Sequence, residues 1–122
     1  MITKLNTVAL YVTDQERSKR FYVDALGFEV TTDADMGDMG RWLEVAPQKG
    51  GTAFVLADAK AFGKTGQVGS SADVTMRCID VQTLHDDLVG KGVQVTEPET
   101  QSFGTFVRVT DPDGHKFVIS QE

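Results

Sequence analysis

VALYVTDQERSKRFYVDALGFEV, residues 8–30, changes its hydrophobic period twice, and those changes decide the fold. Val8, Leu10 and Val12 alternate with Ala9 and Tyr11, the period-two pattern of a half-buried strand. Thr13 and Glu16 then stand at capping-box spacing, Phe21, Tyr22, Ala25 and Leu26 make an apolar stripe, and Gly27 falls where a left-handed helix cap is required. The spacing predicts a helix of roughly three turns. FEVTT (28–32), RWLEVA (41–46) and TAFVLA (52–57) follow as short strands, separated by the irregular loop DADMGDMG (33–40) and the turn PQKGG (47–51). The first half therefore reads β-α-β-β-β.

The second half repeats that order. DVTMRCI (73–79) is a strand, DVQTLHDDLVGKG (80–92) a helix started by Asp80 and ended by Gly90 or Gly92, and VQVTE (93–97), TFVRVT (105–110) and KFVIS (116–120) are strands. Local matches support a duplication: GFEVTT answers GVQVTE, WLEVAP answers FVRVTD, and GGTAFVLA answers DGHKFVIS. The glycine-rich DAKAFGKTGQVGS (58–70) links the halves. The expectation is an α+β domain spanning 1–122, made of module 1 (about 1–58) and module 2 (about 72–122), whose sheets combine.

Composition narrows the partners. A 122-residue chain with 40% hydrophobic content can bury a real core without disulfides or metal. No run of eighteen apolar residues occurs, and MITKLNTVAL lacks the pattern of a secretion signal, so a cytoplasmic location is expected. The single Cys78 sits in an apolar alternation and reads as a buried thiol. A net charge of −6 argues against a nucleic-acid backbone or an anionic membrane and suits a neutral or cationic small ligand.

Strand alternation assigns the faces. The apolar sets Val8/Leu10/Val12, Leu43/Val45, Phe54/Leu56, Val74/Met76/Cys78, Val107/Val109 and Phe117/Ile119 should pack against the helices. The opposite set offers Tyr11, Trp42 and Phe106 as flat apolar surface and Glu44, Asp73, Arg77 and Arg108 as charges, with Thr75 among them. These eight are the candidate ligand-binding residues. The charges fit surface ion pairs equally well, Glu44 with Arg108 or Asp73 with Arg77.

VALYVTDQERSKRFYVDALGFEV and FVRVTDPDGHKFVIS (106–120) resemble the two best-marked segments of the vicinal oxygen chelate superfamily, which includes glyoxalase I, extradiol dioxygenases and bleomycin-resistance proteins. The resemblance covers nearly the whole chain. It implies two βαβββ modules forming an open, incomplete barrel with helices outside and a ligand in the concavity. It also implies a homodimer, because short members usually line each site with modules from both chains. Metal-dependent members take one ligand from each of four strands, and those positions fall here at Thr7, Val55, Asp73 and Val118, with Asn6 the neighbour of the first. Only Asp73 offers a plausible donor. The resemblance thus implies a metal-free small-molecule binder of the antibiotic-resistance kind, with no cofactor. The alternative is a divalent-metal lyase or isomerase of the glyoxalase type with an altered site, in which Glu44 and Asp73 are weak candidates for ligand or base and hold a cation such as Mg2+ only weakly.

Two features remain. His85, on the polar side of the Val81, Leu84 and Leu88 stripe, and His115, in the Asp-Pro-Asp-Gly turn, both read as surface residues. The loop 33–41 reads as a solvated connection or as a lid in which Met36 and Met39 adapt to a ligand.

Overall fold

The computed structural model describes residues 1–70 and 73–122. It divides into two units, Met1–Ser70 and Ser71–Glu122. Residue 72, the expected start of the second module, lies outside the described residues.

In the first unit, β1 (Thr7–Val12) and β4 (Ala53–Asp58) pair in parallel, Leu10 opposite Leu56. Parallel neighbours cannot be joined by a hairpin, so the chain between them must cross the sheet. It does so through α1 (Gln15–Arg20) and then lays down β2 (Glu29–Asp35) and β3 (Arg41–Ala46), giving the strand order β1-β4-β3-β2. The second unit repeats this with β5 (Thr75–Cys78), α2 (Val81–Gly90), β6 (Gln94–Val95), β7 (Glu99–Gln101), β8 (Gly104–Thr110) and β9 (Lys116–Gln121), in the order β5-β9-β8-β6 with β7 also on β8. Here β5 and β9 are the parallel pair. Neither sheet closes on itself.

The helices differ from their expected forms in informative ways. Asp14, not Thr13, caps α1, accepting the Arg17 N–H at 3.0 Å. From Phe21 to Ala25 the turn widens to a π-helix, whose last bond runs from Leu26 N to Phe21 O. Phe21 and Tyr22 are adjacent in sequence, about 100° apart on an α-helix, yet both are buried. Tyr22 then meets Phe54 edge-on at 5.7 Å and Phe28 at 5.8 Å, which fixes the helix over the Phe54 face of the sheet. In α2, Asp80 caps the Gln82 and Thr83 N–H groups, and Gly92, with φ +75°, takes the left-handed position that ends the helix.

Two expected loops and strands shift. Residues expected to form an irregular loop after Thr32 continue β2 to Asp35, and only 36–40 turn, with Met36 N bonded to Gly40 O at 2.8 Å. The reason is Arg41. Its guanidinium grips Asp33 with two bonds of 2.8 Å and also reaches Glu16, while Gln15 donates to the carbonyls of Arg41 and Leu56, both at 2.9 Å. The hairpin is thereby locked to α1 near its turn end. The expected strand 93–97 shortens to β6, and an additional strand, β7, begins only after Pro98, since proline has no N–H for the ladder.

Phe54→Ala should cost about 3–5 kcal/mol in urea unfolding, because Tyr22 and Phe28 both lose their ring partner. Hydrogen bonding to Arg41, then its charge, holds the Glu16 carboxyl below its ordinary range, and the Arg41 hydrogen bond does the same for Asp33. Such depressed groups stabilise the fold above their unfolded pKa, and the gain is lost as pH falls through the folded one. The melting-temperature deficit of Arg41→Ala should therefore be full at neutral pH and shrink once the pH drops below about 4.

Candidate functional site

The face of the first sheet turned away from α1 is built by register. Ala9 pairs with Val55, Val55 with Glu44, and Glu44 with Thr32, so these four cross the sheet in one row. Tyr11 pairs with Ala57, and Trp42 with Ala34. Trp42 and Glu44, two apart on β3, share this face. The indole Nε1 donates to Glu44 Oε2 at 2.8 Å. Both side chains are half-buried. Ala53, Val55 and Ala57 are buried as well, so β4 is covered on both faces.

On the second sheet two rows run side by side. Thr75 pairs with Val118 and Val118 with Arg108; Arg77 pairs with Ser120, Ser120 with Phe106, and Phe106 with Glu99. Thr75, Arg77 and Arg108 are exposed. Asp73 precedes β5 and has φ +54°, a left-handed backbone, so the alternation that assigned its direction does not apply to it. Phe106 lies in the expected row yet is only 2% exposed. Phe103 stacks on its ring at 5.2 Å and 24°, and the Arg108 guanidinium lies over it at 5.0 Å. The outward aromatic surface therefore belongs to Phe103, which is 70% exposed. Sequence reasoning missed it, because residues of a two-residue hairpin turn lie outside the strand alternation. The available signal was a phenylalanine between Ser102 and Gly104, where polar turn residues are usual.

Charge pairing also differs from expectation. Arg108 Nη1 bonds Glu99 Oε1 at 3.1 Å. Gln101 donates to the same carboxylate at 2.9 Å, and that bond first, then Arg108, keeps Glu99 below the usual carboxylate range. Both histidines expected at the surface are buried. His85 lies four residues after Val81 and three before Leu88, on the buried side of α2, with Nδ1 2.9 Å from Asp86 and Nε2 3.5 Å from Glu97. His115 is fully buried because Asp111 folds the turn back on itself, accepting from the backbone N–H of both Asp113 and His115. Cys78 is partly buried, and burial raises its thiol pKa.

The donor set does not fit a four-ligand metal site. Val55 and Val118 have no lone pair, Thr7 brings a hydroxyl, and Asp73 sits before its strand. Among the described residues, no group of three or more His, Cys, Asp or Glu side chains is placed to hold an ion. No helix among them is long and apolar enough to cross a membrane.

Comparison with known proteins extends these observations. A Bacillus subtilis (strain 168) protein, YetH, described as uncharacterized, is 35% identical over 122 residues, covering 99% of this chain and all of YetH. TnmS3, described as an antibiotic binding protein from Streptomyces sp. CB03234, has a solved structure matching with a TM-score of 0.88 at 34% identity, over 98% of this chain and 96% of that one. A Sphaerobacter thermophilus DSM 20745 structure, described as a member of the glyoxalase/bleomycin resistance protein/dioxygenase superfamily, matches with a TM-score of 0.90 at 27% identity, over 99% and 98%. Residues 4–119 match the model of the same family. With this match, the chain belongs to the Glyoxalase/Bleomycin resistance protein/Dioxygenase superfamily.

Proposed function

We propose that this chain is a small-molecule binding protein that holds its ligand without a metal, acting as a cytoplasmic homodimer with residues 1–122 as one domain. The observation that carries the reading is chemical. The sheet faces turned away from the helices bear aromatic surface next to polar groups, Trp42 with Glu44 in one unit and Phe103 with Arg108 in the other, while the family's metal positions bear Val55 and Val118. Such surfaces suit a ligand with a planar apolar part and a few polar groups. The likeness to TnmS3, an antibiotic binding protein by its description, supports a binding role over a catalytic one. The dimer rests on the resemblance to short members of the family.

Phe103 adds to this reading. A phenylalanine left 70% exposed at a hairpin tip gains little from stacking on one face, and a ligand ring against its other face would remove more apolar surface from water. Tyr11, Asp73, Thr75, Arg77 and Phe106 complete the proposed ligand-binding set.

Elemental analysis after exposure to Mn, Fe, Co, Ni, Zn and Mg, followed by dialysis, should find well under one ion per chain. One retained ion per chain would instead favour a metal-dependent lyase or isomerase using Asp73 or Glu44. In a thermal-shift screen of planar aromatic compounds, neutral and cationic, a true ligand at 100 times its Kd should add about 2.7 kcal/mol of stability. Trp42→Ala and Phe103→Ala should each weaken that ligand by about tenfold or more. No shift with any compound would refute the binding role.

A further inference from the structure

Glu44 occupies an unusual setting for a carboxylate. It lies mid-strand on β3 in the row Ala9, Val55, Glu44, Thr32, beside aliphatic and hydroxyl side chains. It is half-buried, and the bond it accepts from Trp42 Nε1 fills one of the roughly four lone-pair positions of a carboxylate. That bond brings no countercharge. A carboxylate partly withdrawn from water costs free energy unless a cation faces it. The base on the same strand, Arg41, is three residues away and so alternates to the opposite face, where Asp33 and Glu16 engage it.

We propose that Glu44 is the counter-ion for an organic ammonium group of the ligand, and that Trp42 is its positioning residue. The indole N–H fixes the carboxylate in one orientation and leaves its second oxygen to meet the ammonium. The ring lies alongside, where an aromatic face attracts the same cation. A metal ion does not suit the place, because one carboxylate falls far short of the six or more oxygen ligands that a hard cation takes, and no cluster of donors surrounds it among the described residues. The ligand class is therefore a planar or apolar molecule bearing a protonated amine. This inference rests on the binding role proposed above and adds a specificity to it.

The test compares two probes with the same ring system, 9-(aminomethyl)acridine, whose side-chain amine is protonated at neutral pH, and acridine, which is neutral there. Both are titrated against the intact protein by their own fluorescence. Wild type should bind 9-(aminomethyl)acridine about tenfold more tightly, the scale of one charge-assisted hydrogen bond. Glu44→Gln keeps the shape and removes the charge; it should bring the preference to within about twofold, chiefly by weakening the cationic probe. Trp42→Phe keeps a ring and removes the N–H, and should likewise cut the preference more than the acridine affinity. Equal binding of the two probes by wild type overturns the inference without any variant, and so does an unchanged preference in Glu44→Gln; in both cases the binding role stands. If neither probe binds while other compounds stabilise the protein, the inference also falls alone. Failure of every compound tried would remove the binding role with it.

Discussion

Each unit depends on one pairing, between its first strand and its last. β1 with β4, and β5 with β9, run parallel, and a parallel pair forces the intervening chain to cross from one end of the sheet to the other. The crossover helix then covers one face, and the remaining strands fill in beside the last one. The aliphatic alternation follows from this arrangement. Leu10, Leu43, Val45, Phe54 and Leu56 in one unit, and Val107, Val109, Phe117 and Ile119 in the other, are all buried. Because side chains alternate, packing one face leaves the other face available for different chemistry.

That second face carries the departure from metal-dependent relatives. A metal site needs donors at specified places on four strands, and a strand position given to valine cannot be a ligand whatever surrounds it. What remains are side chains suited to recognition: an indole holding a carboxylate, and an exposed phenyl ring stacked on a second ring beneath a guanidinium. The same backbone can carry different side-chain sets on this face, in keeping with function being set by side chains grafted on a shared fold.

Several polar groups do structural work that resembles functional work from a distance. Arg41 is a cation next to the candidate Trp42, yet it braces the β2–β3 hairpin against α1. Arg108 sits on the candidate face, and its carboxylate partner is Glu99 across the hairpin. His85 and His115, the chain's two imidazoles, are buried. Arg41 and His85 would be attractive catalytic candidates by residue type alone, and their contacts assign them a bracing or packing task.

The sequence by itself determined the order of the main elements, the duplication and the cap at Asp80. All of these are local: they follow from periodicity, turn chemistry or the identity of a single residue. The tertiary structure alone decided what depends on neighbours distant in sequence. It carried β2 past Thr32 because Arg41 reaches back to Asp33, eight residues away. It buried Tyr22 beside Phe21 by widening the helix against Phe54, and His115 through the folding of Asp111 over its own turn. It placed Phe106 under Phe103, so the exposed ring is one that no alternation rule covers. Periodicity reports which way a side chain points; only the packed fold reports what lies above it.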